Sequence, residues 1–129
     1  MEGAEGWQLS NPPILTLAAL RASLDIFSEV GMERLRAKSV ALTGYAEFFL
    51  GQKRSSKFSI LTPAEASRRG AQLSLRIPQH GRSICDKLAA EGIIGDWREP
   101  DVFRVAPVPL YNSFHDVFRF VEHFSSQLS

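Results

Sequence analysis

Residues 72–77, Gln72-Leu73-Ser74-Leu75-Arg76-Ile77, alternate strictly between polar and apolar side chains. That is the pattern of a strand with one wet face. After this strand, 83–91 carries Ile84, Leu88 and Ala89 on one helical face, with Gly92 at its exit and a short strand expected over 93–97. Over 101–106, Phe103 and Val105 point one way while Val102, Arg104 and Ala106 point the other, and Pro107 and Pro109 end the strand. A last helix over 113–127 is capped by Asn112 or Ser113, with Asp116 near its positive end and Phe114, Val117, Val121 and Phe124 as its buried stripe.

On the other side of the deciding stretch, Phe58-Ser59-Ile60-Leu61 is a short strand closed by Thr62-Pro63, preceded by a polar loop over 52–57. Two long helices come before it. The first starts at Ser10-Asn11-Pro12-Pro13, where Asn11 is placed to cap, and runs over 14–30 with Leu17, Leu20, Leu24 and Phe27 expected on a buried face and Gly31 as its stop. The second covers 32–50, with Leu42, Tyr45 and Phe49 on one side, Arg34, Arg36 and Lys38 near its start, and Gly51 as its terminus. Helices followed by short strands with helices between them predict an α+β fold: two long N-terminal helices, then a small, mostly antiparallel sheet covered by helices.

The chain has 129 residues with 44% hydrophobic and 22% charged side chains, enough for one domain with a real core and unlike a disordered segment. Fifteen Lys/Arg against fourteen Asp/Glu give a formal charge of +1, which offers no electrostatic footprint for nucleic acid or an anionic membrane. No apolar run approaches the ~20 residues of a membrane helix. The single cysteine, Cys85, forms no internal disulfide, which points to a reducing, cytoplasmic setting. Residues 1–5 read as a leader or remnant, and 6–129 as one continuous unit without repeats.

Most chemistry is excluded by spacing. His80, His115 and His123 are scattered and, with one cysteine, give no zinc pattern, so no metal site is expected. No glycine-rich phosphate loop and no nucleophile elbow are present, and Cys85 sits in an amphipathic helix as a small packing residue. Two constellations remain. Ser10-Asn11-Pro12-Pro13 is either a capped helix start or an anion site, because both use the same residue types. Arg104, mid-strand between Phe103 and Val105, is either a solvated arginine or a guanidinium held rigidly for bidentate capture of a carboxylate.

The strings Trp7-Gln8-Leu9-Ser10-Asn11-Pro12-Pro13-Ile14 and Phe103-Arg104-Val105-Ala106-Pro107-Val108-Pro109-Leu110-Tyr111-Asn112-Ser113-Phe114-His115-Asp116-Val117 closely resemble the carboxy-terminal part of kynureninase. The resemblance extends through Leu35-Arg36-Ala37-Lys38-Ser39, Leu42-Thr43-Gly44-Tyr45, Arg69-Gly70-Ala71-Gln72-Leu73 and the 86–98 region. It implies the small domain of a fold-type I (aspartate-aminotransferase fold) pyridoxal-phosphate enzyme. Such an enzyme is a cytoplasmic homodimer that hydrolyses kynurenine or 3-hydroxykynurenine to anthranilate or 3-hydroxyanthranilate plus alanine, in tryptophan catabolism and NAD biosynthesis. By the same resemblance Arg104 looks like the arginine that pairs with the substrate α-carboxylate. Asn11 looks like the asparagine reaching the cofactor region from the partner subunit, and Ser10 is similar to a residue lining the aromatic end of the substrate pocket.

The resemblance also implies that no catalytic residue lies in this stretch: the lysine that holds pyridoxal phosphate belongs to the large domain, and Lys38, Lys53, Lys57 and Lys87 stand in contexts that do not match it. The chain alone is therefore expected to be inactive, with the large domain as its missing partner. A surface that normally meets such a partner is apolar, so self-association is expected. A class V aminotransferase or cysteine desulfurase would share the architecture and an anchoring arginine, and a non-catalytic binding module is the remaining alternative.

Overall fold

A double proline sets where the first helix begins. In the computed structural model, which describes residues 2–53 and 56–128, the chain forms two compact units, Met1–Arg34 and Leu35–Ser129. In the first, a 3-10 turn at Ala4–Trp7 precedes α1 (Ile14–Val30). Pro13 is the N-cap, at φ −74° and ψ 86°, and no side chain caps the helix. Asn11 is thus not the cap expected from sequence. A residue before proline is disfavoured in the helical region, so Pro12 and Pro13 act against a helical Asn11 or Pro12 and delay the first turn. The Leu17 N–H reaches back to the Pro13 carbonyl at 3.0 Å. Gly31, at φ +83°, ends α1 where a side chain would be strained.

The stripe on α1 is a second correction. Leu17, Leu20, Leu24 and Phe27 are 45%, 51%, 53% and 38% exposed, and no residue of α1 is buried. Helical periodicity tells which face wants a partner; burial needs the partner itself.

The second unit is built on most of α2 (Met32–Gln52), which runs through Gly51 and so is longer than expected from sequence. A four-stranded sheet follows in the order β1-β2-β4-β3, from β1 (Ser59–Ile60), β2 (Leu73–Arg76), β3 (Asp96–Arg98) and β4 (Val102–Val105), with every pair antiparallel. α3 (Gly81–Ala90) and α4 (Phe114–Gln127) complete the unit, which is the α+β arrangement read from the sequence. The polar loop expected over 52–57 has residues 54 and 55 outside the described residues.

Pleating sorts the sheet into two faces. Leu73, Leu75, Phe103 and Val105 are buried with Leu42, Ala46 and Leu50 of α2, Ile84, Cys85 and Leu88 of α3, and Val117, Phe120, Val121 and Phe124 of α4. Phe120 joins this cluster: its ring lies 5.6 Å from Phe124 and 6.5 Å from Phe103. Phe114, expected in the stripe, is 45% exposed at the first turn, with its ring edge-on to Tyr45 at 5.3 Å. The expected strand over 93–97 starts later, at Asp96, because Gly92 and Ile93 finish α3. Gly92 sits at φ +77° and the Ile93 N–H bonds the Leu88 carbonyl at 2.9 Å. Gly95 is then required for close approach, since a Cβ there would lie 2.3 Å from the Phe103 ring.

Candidate functional site

The face of the sheet opposite the core carries Arg104. Register places it directly across from Ser74 of β2 on one side and Asp96 of β3 on the other. It stands on a central strand, so its backbone is tied on both edges. Arg104 Nη2 donates to Asp96 Oδ2, and the same carboxylate oxygen accepts from Arg98 Nε at 2.9 Å. The Arg104 side chain is 32% exposed, yet its Nε is enclosed and has no partner. An enclosed, unpaired donor is costly, and a charged one more so. Arg69 shares the orphaned Nε but is otherwise tied down, its Nη1 donating to Glu47 at 2.6 Å and to the Pro63 carbonyl at 3.3 Å. Next along the same face, Arg76 pairs with Asp101 at 2.7 Å, and that hydrogen bond and charge hold the guanidinium's pKa above its usual value.

The segment leaving β4 is fixed by side chains read differently in the sequence. Asn112 does not cap α4: its Oδ1 accepts from the Val108 N–H at 2.8 Å while its own N–H donates to the Val108 carbonyl at 2.8 Å. Ser113 is the cap, forming a reciprocal box with Asp116. Those hydrogen bonds from Ser113 hold the Asp116 carboxyl below the usual carboxylate range. Lys38 of α2 donates to the Pro109 carbonyl at 2.8 Å, anchoring the same turn. A cavity of about 190 Å³ opens on this side, lined by Ala46, Ile94, Ala106, Pro107, Asp116 and Arg119 among others, and Arg104 is not part of it.

Ser10 and Asn11 belong to the first unit and Arg104 to the second. Both are exposed. The Ser10 carbonyl accepts from Gln8 Nε2 at 2.8 Å, and Asn11 offers no side-chain cap to α1. Cys85 is buried, which pushes its thiol up to about 11, so it stays protonated. His123 pairs with Glu91, and the described residues hold no group of three or more His, Cys, Asp or Glu arranged for a metal. Nor is any helix among them long and apolar enough to cross a membrane.

Asp96 is the residue that sequence reasoning missed. Its only local signal is an acid two places before Arg98; its meaning depends on a register that pairs it with a residue eight positions on.

Solved structures share this architecture. A cystine C–S lyase in complex with its product cysteine persulfide superposes with a TM-score of 0.76 at 17% identity, covering 97% of this chain and 32% of that one. An alanine–glyoxylate aminotransferase from Nostoc sp. gives 0.67 at 19% identity, covering 98% and 34%. The fold is therefore that of the small domain of fold-type I pyridoxal-phosphate enzymes. Sequence narrows the class further. The model of the kynureninase C-terminal domain matches residues 35–124. Kynureninase of Koribacter versatilis is 60% identical over 129 residues, all of this chain and 30% of the relative. That of Stenotrophomonas maltophilia is 58% identical over 123 residues, 93% of this chain and 29% of the relative. The chain belongs to the kynureninase C-terminal domain family, and it spans under a third of the length of these relatives.

Proposed function

We propose that residues 6–129 are the substrate-anchoring C-terminal part of a kynureninase, which hydrolyses kynurenine or 3-hydroxykynurenine to the corresponding anthranilate and alanine. The observation that carries this is Arg104. A guanidinium fixed on a central strand, with Nη2 held by Asp96 and its other outer N–H groups without a partner among the described residues, is suited to a carboxylate. In this reading the arginine binds and orients the α-carboxylate of the amino acid. That restricts rotation at the carbon whose bonds are to be labilised, a positioning effect rather than a chemical step. Identity of 54–60% to kynureninases, against 17–19% to the lyase and aminotransferase structures, favours this over a desulfurase or class V aminotransferase.

Pyridoxal phosphate, when bound, supplies the electron sink for such chemistry. The residues of this chain do not by themselves fit it. Lys38 is engaged with the Pro109 carbonyl, Lys53 with Glu122 at 2.6 Å and Lys57 with the Leu128 carbonyl, while Lys87 lies exposed in the last turn of α3. The cofactor and its lysine are assigned to the remaining, larger part of the enzyme, and the isolated chain is inactive in this reading. Asn11 is assigned to the cofactor region across a homodimer and Ser10 to the aromatic end of the substrate; both are exposed and neither has another duty in α1. The intact enzyme is expected in the cytoplasm, serving tryptophan catabolism and NAD biosynthesis.

The test is anthranilate fluorescence with kynurenine as substrate, for this chain alone and for a kynureninase carrying it as the C-terminal part. Turnover is expected only from the latter, and Arg104→Lys is expected to lower its kcat/KM about 10- to 150-fold, the range of a charged hydrogen bond of ~1.5–3 kcal/mol. Full turnover by the Arg104→Lys enzyme would remove Arg104 from the site.

A further inference from the structure

We infer that Asp96 is a positioning residue for Arg104, holding one guanidinium nitrogen so that the remaining N–H groups stay aimed at an incoming carboxylate. The inference rests on the reading of Arg104 given above and adds a second residue to it.

Geometry comes first. Asp96 and Arg104 are register partners on adjacent antiparallel strands, so their β-carbons stand within the ~4.5–5.5 Å of directly opposed residues. A long arginine side chain has several rotamers and loses much entropy when fixed. A carboxylate opposite its root selects one of them before any substrate arrives. The acid is itself held in place: its oxygen also accepts from Arg98 at 2.9 Å. The backbone before it cannot shift toward β4, because Gly95 already lies against the Phe103 ring and the Arg104 carbonyl.

The division of donors comes second. Arg104 has five N–H groups. Asp96 takes one at Nη2, the enclosed Nε takes none, and no other described residue bonds the guanidinium. One side is therefore anchored while the outer N–H groups remain for a ligand. Charge comes third. Asp96 lies between Arg98 and Arg104, so the cluster keeps an excess of one positive charge and still attracts a carboxylate. Asp96 is 49% exposed, and a pair this wet adds little to stability, so its use is better sought in orientation than in folding.

The experiment uses a kynureninase carrying this chain as its C-terminal part, with Asp96→Asn, Asp96→Ala, Arg104→Lys and the Asp96→Asn/Arg104→Lys double variant. Each is assayed with kynurenine and with its α-carboxamide, which lacks the carboxylate, and each is melted. Asp96→Asn is expected to raise KM for kynurenine about tenfold with kcat within about twofold, to leave the carboxamide's kcat/KM unchanged, and to move the melting midpoint by under ~2 °C. In the double variant the Asp96→Asn effect is expected to vanish, since it acts through Arg104. Should Arg104→Lys leave the preference for kynurenine over the carboxamide intact, the reading of Arg104 itself fails. Should Arg104→Lys abolish that preference while Asp96→Asn leaves KM unchanged or lowers it, the role of Asp96 alone is overturned. A parallel loss with both substrates and a lowered melting midpoint would mark Asp96 as merely structural.

Discussion

At Gly95 the lack of a side chain decides how closely its neighbours can pack, and at Cys85 the neighbours decide what the side chain can do. At Gly95 a methyl group would stand 2.3 Å from the Phe103 ring and 2.9 Å from the Arg104 carbonyl, so Gly95→Ala forces β3 away from β4. Overpacking of this kind costs about 1–3 kcal/mol, and urea denaturation of the variant is expected to show that loss. The same change lifts Asp96 away from Arg104, so stability and carboxylate binding fall together. Cys85 carries the opposite lesson. Burial pushes its thiol up to about 11. A disulfide reagent at pH 8 is therefore expected to label it slowly in the folded chain and fast in urea; rapid labelling without denaturant would contradict its place in the core.

At the scale of elements, α4 is the best specified. Its buried stripe of Val117, Phe120, Val121 and Phe124 meets the sheet, and its first turn is closed by Ser113 and Asp116. Ser113→Ala removes the cap and is expected to cost about 0.5–2 kcal/mol, read from a denaturant midpoint. The Asp116 carboxyl, held below its ordinary value of 3.8 by Ser113, adds a pH dependence. The folded form binds its proton less readily than the unfolded form. Its contribution is thus complete above the ordinary value and drains away as pH falls from there through the lowered one. Asp116→Asn is expected to flatten the fall of stability in that acid window and to leave neutral-pH behaviour to the cap alone. An unchanged acid limb in the variant would show that the box does not form in solution.

For the molecule as a whole, the unburied stripe of α1 dominates. Four large side chains that a helix of this period buries are 38–53% exposed, beside Ile14 at 75% and Leu15 at 88%. Apolar surface on that scale favours association. Sedimentation of the chain at rising concentration is expected to show a growing species above the monomer, and Leu20→Glu with Leu24→Glu is expected to suppress it. A concentration-independent monomer would remove the prediction.

The amino-acid order determined much of this protein by itself. The alternation over 72–77, Val117, Val121 and Phe124 on the buried face of α4, Gly31 and Gly92 as helix ends and Pro107 as the end of β4 are all local signals, and each is found in place. So is the class of fold, because the succession of helices and strands limits how they can be layered. Local signals blurred where two of them compete. Asn11 has a capping side chain, but two prolines forbid it the geometry; Ile93 and Ile94 have strand composition, but α3 claims the backbone of Ile93 for its own termination. Arg104 was legible as a candidate, standing on a strand between apolar neighbours. Its partner was not. Asp96 meets Arg104 only through the β3–β4 register, and Phe120 rather than Phe114 joins the core only once α4 lies on the sheet. Periodicity, caps and prolines act through neighbours in the chain, so they can be read from it. Register and burial depend on which distant segments meet, and only the folded structure decides that.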